Sequence, residues 1–248
     1  MARTLVVTGG SRGIGAACAR LAAQAGWSVC LSYRASEAAA VAVVLEIKLA
    51  GGQALAIASD VSSERDVADL FDRAEEAFGP VAGLVNNAGI LCPAEMLANI
   101  QLSRWNTTIA TNLTGTFLCA REAVRRMAMS AGGAGGTIVN VSSMAAVLGS
   151  PGEFIDYAAS KGAIDALTVG LAKEVAADGI RVNGVRPGLI DTDIHAASGD
   201  PSRAKRLATT VPMQRTGTAE EVARAILWLL SDDSSYCTGV TINVSGGR

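Results

Sequence analysis

The chain has one histidine, His195, so no Ser-His-Asp triad can be assembled and a histidine-based metal cluster is not expected. Asp191 and Asp193, close to it, read as loop aspartates that cap helices or face water, and no metal site is expected anywhere. Aromatic residues make up only 4% of the chain, which leaves Ala, Val, Leu and Ile to build the core. That composition suits a parallel sheet buried between helices on both faces. Charge of one sign is also lacking: 21 Lys and Arg against 23 Asp and Glu leave a net −2. There is no nucleic-acid footprint, and no Lys or Arg run marks a membrane surface. No uninterrupted run of about 18 apolar residues exists to cross a bilayer. The N-terminal stretch 1–8 reads as a strand rather than a signal peptide. The five cysteines (Cys18, Cys30, Cys92, Cys119, Cys237) are odd in number, scattered, and form no Cys-x-x-Cys pair. They read as reduced thiols packed as small apolar residues in a cytoplasmic protein.

What is present is alternation. Short β-rich runs at 5–8, 28–33, 53–58, 84–86, 137–141, 181–185 and 241–244 are separated by Ala-rich helical stretches. The stretches are 13–25, 36–50, 63–78, 103–130, 157–177 and 219–230. This pattern predicts βαβ units in an α/β fold: a single-domain, doubly wound Rossmann arrangement over residues 1–248, with a mostly parallel seven-stranded sheet and helices on both faces. Thr218-Ala219-Glu220-Glu221 has capping-box spacing and starts the last long helix. The polar, small-residue segment from about 190 to 216 is the candidate substrate lid, and His195 falls in it. Trp105, Phe117 and Trp228 sit in helical patterns and read as core or interface residues.

The first strand runs into Thr8-Gly9-Gly10-Ser11-Arg12-Gly13-Ile14-Gly15 and then a helix. A strand, a Gly-rich turn and a helix N-terminus present backbone N–H groups to a phosphate. Gly9 permits the tight turn, Gly13 the close approach of a ligand, and Gly15 the packing of helix on sheet. The spacing Gly-x-x-x-Gly-x-Gly is neither the commoner dinucleotide fingerprint nor a P-loop. The second strand ends Leu31-Ser32-Tyr33-Arg34, with no acid to take a ribose 2′-hydroxyl. Arg34 and Arg12 can instead receive a 2′-phosphate, which favours NADP(H) over NAD(H). Asp60-Val61, Asn86-Asn87-Ala88-Gly89 and Arg186-Pro187-Gly188 end later strands on the same rim, with Asp60 within reach of an adenine ring or serving as a helix cap.

Tyr157-Ala158-Ala159-Ser160-Lys161 carries the chemistry. Tyr157 and Lys161 are four apart, so a helix puts them on one face. An ammonium beside a phenol favours the phenolate and pulls the tyrosine down from its ordinary pKa of about 10. Ser143, just upstream, can hold the oxygen of a reacting carbonyl or alcohol.

Taken together, Thr8-Gly9-x-x-x-Gly13-x-Gly15, Asn86-Asn87-Ala88-Gly89, Asn112, Ser143, Tyr157-x-x-x-Lys161 and Pro187-Gly188 resemble the full motif series of the short-chain dehydrogenase/reductase family. The resemblance runs from Thr4 to Gly247, and around 149–162 it is nearest to the glucose-dehydrogenase-like and oxidoreductase members. It implies Tyr157 as general acid/base and Lys161 as the group that lowers its pKa and bonds the nicotinamide ribose. It implies that Ser143 polarises the substrate oxygen and that Asn112 holds a water of a proton relay. Asn87 would line the adenosine side, and Pro187, Gly188, Ile190 and Thr192 would border the nicotinamide, Thr192 holding its carboxamide. It also implies a homotetramer joined through the two long helices.

One spacing departs from the family. Ser143 to Tyr157 is fourteen positions, one more than the commonest pattern, with the extra residue in the loop 149–156 that borders the substrate. The expected function is NADP(H)-dependent interconversion of a small-molecule carbonyl and a secondary alcohol. One alternative is a β-ketoacyl-carrier-protein reductase, for which Arg121, Arg125 and Arg126 would supply a basic patch for an acidic carrier. An alternative of another class is a non-catalytic NADP(H)-binding sensor or scaffold.

Overall fold

The computed structural model describes residues 3–192, 194, 200 and 202–248. His195 and Asp193 lie outside the described residues, and the lid expected at about 190–216 is described only in part. The elements, in order, are β1 (Arg3–Val7), α1 (Gly13–Gln24), β2 (Trp27–Tyr33), α2 (Glu37–Leu49), β3 (Gln53–Ala58), α3 (Glu64–Phe78) and β4 (Val81–Asn86). Then follow α4 (Leu102–Ile109), α5 (Gly115–Met127), β5 (Gly136–Val141), α6 (Ala145–Leu148), α7 (Ile155–Val175) and β6 (Ile180–Pro187). The chain ends with α8 (Arg203–Leu207), α9 (Ala219–Leu230) and β7 (Thr241–Val244).

The seven strands form one sheet in the order β3-β2-β1-β4-β5-β6-β7. Every pairing is parallel, so the sheet is wholly rather than mostly parallel. Alternate side chains of each strand serve two separate cores, as the period of two requires. Leu5 and Val7 of β1, Val29 and Leu31 of β2, and Val139 and Val141 of β5 pack with α1, α2 and α9. Val6, Cys30 and Ile138, from the same strands, pack with α3, α5 and α7 on the opposite face. The strand order reverses between β1 and β4, and the crevice beyond the carboxyl ends at that point is where open α/β sheets bind ligands.

The helix expected at 103–130 is interrupted. A wide π turn, Ala110–Thr114, separates α4 from α5. Such single-turn bulges concentrate at functional sites, and this one carries Asn112. The capping box at the head of α9 is present in full: the Glu221 carboxylate accepts from the Thr218 N–H, and the Thr218 hydroxyl accepts from the Glu221 N–H. Among the described residues no helix is long and apolar enough to cross a membrane. All five cysteines are free thiols; burial pushes Cys18, Cys30 and Cys119 up to about 12, so these three are inert packing groups. Phe117 and Trp228 are exposed, which removes them from the core.

Candidate active site

A cleft of about 710 Å³ runs along the carboxyl rim of the sheet. One half is built on backbone. Gly9 and Gly13 hold φ of +64° and +54°, a region that L side chains rarely enter. A Cβ on Gly15 would collide with the Gly9 carbonyl oxygen and lie 2.5 Å from Asn87 Nδ2, so only glycine lets α1 seat on this turn. The turn is pinned from β4. Asn87 Nδ2 donates to the carbonyls of Thr8 (2.9 Å) and Gly9 (3.0 Å). The Thr8 hydroxyl accepts from the N–H groups of Asn87 and Ala88, both at 3.0 Å. Asn87 therefore faces the glycine turn, shapes the cradle and lines the cleft beside it. Thr8 heads the glycine motif in the sequence, but its hydroxyl bridge to β4 is not visible in a local pattern.

Ser11, Arg12, Gly13, Ile14, Arg34, Asp60 and Val61 all line the cleft. Arg12 and Arg34 are exposed. Asp60 sits beyond β3 and folds back on its own turn, accepting from the N–H (3.0 Å) and hydroxyl (2.6 Å) of Ser62. Those bonds, with Arg34 Nε 3.5 Å from Asp60 Oδ2, hold its carboxyl below the ordinary range. Asp60 is not the cap of α3; Ser63 is, its hydroxyl accepting from the Asp66 N–H. Pro187, Gly188, Ile190 and Thr192 also border the cleft. Thr192 lies against the glycine turn, its Cβ 3.5 Å from where a Gly13 Cβ would lie. Gly188 crosses so close to Ser245 that a Cβ there would come within 2.7 Å of the Ser245 Cα.

The other half of the cleft is lined by Ser143, Tyr157 and Lys161, with Asn112 buried behind it. Tyr157 and Lys161 stand one turn apart on α7, as their spacing predicts. Burial raises the Tyr157 phenol above its ordinary value, against a smaller lowering by the nearby Ser143 hydroxyl. The ammonium does not produce the expected downward shift. Lys161 Nζ donates to the Val141 carbonyl at 2.7 Å and lies 5.6 Å from the Tyr157 ring centre. Burial brings Lys161 itself down to about 8, against a smaller opposing pull from Asp165.

Asn112 is fully buried in the π turn. Its Oδ1 accepts from the Ile90 N–H at 2.8 Å, and its Nδ2 donates to the Ile90 carbonyl and the Ser160 hydroxyl, both at 3.1 Å. Ser160 in turn donates to the Tyr157 carbonyl at 2.7 Å. Gly89 lies between the two polar side chains: a Cβ there would sit 3.4 Å from Asn112 Oδ1 and 3.6 Å from Lys161 Nζ. Between Ser143 and Tyr157 lie α6 and left-handed backbone at Gly149, Ser150 and Gly152.

Two pairs escaped the sequence reading. Arg104 and Asp156, 52 residues apart, form a bidentate ion pair next to Tyr157. Arg203 on α8 meets Glu153 at 2.5 Å and stacks over Phe154 on the substrate side. Neither lies in a motif, and only the fold brings the partners together. Arg121, Arg125 and Arg126 do not form a basic patch. Arg121 pairs with Glu64, Arg125 with Glu122, and Arg126 with Glu122, Asp72 and Glu75.

A parallel sheet with a glycine cradle at its switch point, opening onto a Ser-Tyr-Lys set whose lysine is buried, defines a Rossmann-type oxidoreductase. Comparison with known proteins agrees. A family model described as Enoyl-(Acyl carrier protein) reductase matches residues 9–248. The chain is 55% identical over 243 residues to the uncharacterized oxidoreductase YgfF of Escherichia coli strain K12, covering 98% of each chain. It is 41% identical to 3beta-hydroxysteroid dehydrogenase 1 of Eggerthella lenta, over 99% of this chain and 93% of that one. It is 37% identical to the 3-oxoacyl-[acyl-carrier-protein] reductase FabG of Staphylococcus aureus, over 100% and 98%. A crystal structure of a dehydrogenase/reductase from Sinorhizobium meliloti 1021 superposes with a TM-score of 0.91 at 33% identity, covering 100% of this chain and 95% of that one. The chain belongs to the short-chain dehydrogenase/reductase family, whose members bind a nicotinamide cofactor and act on CH-OH and carbonyl groups.

Proposed function

We propose that this oxidoreductase uses NADP(H) to interconvert a small-molecule carbonyl and a secondary alcohol, with Tyr157 as general acid/base. The observation that carries the reading is that Ser143, Tyr157 and the buried Lys161 line one cleft, with Lys161 one turn along α7 from Tyr157. The glycine turn fits a dinucleotide, because its missing side chains leave backbone N–H groups free to approach a pyrophosphate. When bound, the nicotinamide supplies or accepts the hydride. Ser143 holds the substrate oxygen where charge develops. Tyr157 gives its phenolic proton to that oxygen in reduction and takes it back in oxidation. Lys161 places a positive charge beside the developing phenolate, and Asn112 holds the segment at Ile90 against α7.

Preference for the phosphorylated cofactor rests on Arg12 and Arg34 at the adenosine end and on the missing acid after β2. Arg34 already balances Asp60, so a 2′-phosphate there would face two arginines and one carboxylate. Binding of NADPH and NADH by fluorescence titration, followed by a carbonyl screen with the tighter one, tests the reading. Tighter NADH binding would remove the NADP preference. The absence of turnover across ketones, aldehydes and acyl thioesters would leave the sensor or scaffold reading in its place.

The carrier-protein reductase reading is supported by the FabG relatives and by the description of the matching family model. It is weakened by the pairing of the three α5 arginines with carboxylates, which leaves that helix little net charge for an acidic carrier. We take residues 1–248 as one domain with a substrate lid at about 190–216. The five free thiols support a cytoplasmic location. A homotetramer is supported by the exposed Phe117 on α5 and Val169 on α7, and light scattering on the purified protein tests it.

A further inference from the structure

We propose that the Arg104–Asp156 ion pair positions Tyr157 for catalysis, an inference that rests on Tyr157 being the general acid/base. Asp156 immediately precedes Tyr157 in the first turn of α7, and its side chain is almost wholly buried. Its carboxylate takes Arg104 Nε at 2.8 Å, Arg104 Nη2 at 3.0 Å and the Thr108 hydroxyl at 3.3 Å. Arg104 reaches the other way as well, donating from Nη1 to the Pro93 carbonyl at 2.7 Å. One guanidinium thus fastens three segments: α4, the loop after β4, and the first turn of α7 at the residue next to Tyr157.

A hydrophobic pair of similar volume would hold α4 to α7 about as well, because desolvation offsets much of what a buried ion pair gains. A bidentate fork adds direction: two parallel bonds fix the angle as well as the distance. That is what the Tyr157 backbone needs, since a shift of about 1 Å at a reacting group can lower the rate about a hundredfold. The head of α7 has no side-chain cap of its own on the preceding Phe154, so the Asp156 carboxylate is what tethers this turn.

The test uses the full-length enzyme loaded with its preferred nicotinamide cofactor and a substrate it turns over. Asp156→Asn, Arg104→Lys, Arg104→Ala, the double variant Arg104→Ala/Asp156→Asn and Tyr157→Phe are measured for melting temperature, cofactor Kd, kcat, KM and the pH profile of kcat. Positioning predicts that Asp156→Asn and Arg104→Ala each lower kcat by about tenfold or more, with cofactor Kd held within about twofold. The double variant falls no further than either single one, because both break the same contact. Arg104→Lys, which keeps the charge and loses the fork, falls between. The apparent pKa in the kcat profile moves in each. If Asp156→Asn does not fold, Arg104→Lys decides alone. Unchanged kcat and pH profile in folded variants, with only the melting temperature lowered, overturns the inference. A Tyr157→Phe enzyme that remains active overturns the acid/base reading instead, so the two failures are separable.

Discussion

Lys161 Nζ donates a hydrogen bond to the carbonyl oxygen of Val141 at 2.7 Å. The ammonium is buried, and its pKa falls from 10.5 to about 8. The unfolded chain therefore binds this proton more tightly than the folded one. Between about pH 8 and 10.5 unfolding takes up a proton, so stability rises with pH across that window. Below pH 8 both states are protonated and the burial cost, about 3 kcal/mol at most, is present in full. Replacing Lys161 by Met should raise stability at pH 7 and abolish turnover. Guanidinium denaturation at pH 7 and pH 10 checks this: the gap between variant and parent should narrow at the higher pH.

Tyr157 titrates above its ordinary value because burial outweighs the lowering by the nearby Ser143 hydroxyl. Its phenol is therefore protonated at neutral pH, ready to donate and poorly able to accept. kcat/KM for alcohol oxidation should climb close to tenfold per pH unit on the acid side of that pKa, while kcat/KM for carbonyl reduction stays level and falls only in alkali. Initial rates in both directions from about pH 6 to about pH 10 provide the comparison. An oxidation rate independent of pH would contradict the assignment.

Gly15→Ala introduces a methyl group into space held by the Gly9 carbonyl and Asn87 Nδ2. The turn must open, at a cost of about 1–3 kcal/mol. The melting temperature should drop, and the dinucleotide should bind at least tenfold more weakly. By contrast Gly162→Ala, on α7 with nothing within 4 Å of the new Cβ, should leave both unchanged.

How far the chain could be read in advance follows from these same residues. The alternation of strands and helices was legible because each βαβ unit is local and each strand is a short apolar run. β4 was read late, at residue 84, because Ala82 and Gly83 blunt its apolar signal; the strand begins at Val81. The break between α4 and α5 was not legible, since Ala110–Thr114 contains no proline or glycine to announce a π turn. The glycine turn and the Tyr157–Lys161 pair could be named from spacing and Asn112 only from the family resemblance, but orientation could be read from neither. Nothing in the sequence says that Lys161 turns to Val141 or that Asn87 grips the Gly9 turn. Arg104–Asp156 and Glu153–Arg203 were invisible for a simpler reason: each joins residues about fifty positions apart.

Arg34→Ala should separate the two cofactors. It removes a cation from the adenosine end and leaves the Asp60 carboxylate without that partner. NADPH binding should weaken by about tenfold or more, whereas NADH binding should change little, because only the former places a phosphate there. Equal losses for both would show that Arg34 supports the turn rather than the phosphate.

The most direct measurement compares the parent enzyme with Tyr157→Phe in single-turnover carbonyl reduction at saturating NADPH, with nucleotide binding measured in the same samples. Removing one hydroxyl should leave NADPH binding intact and slow reduction by about 10²–10⁴-fold. Equal reduction rates in the two enzymes would contradict the assignment of Tyr157 as the proton donor.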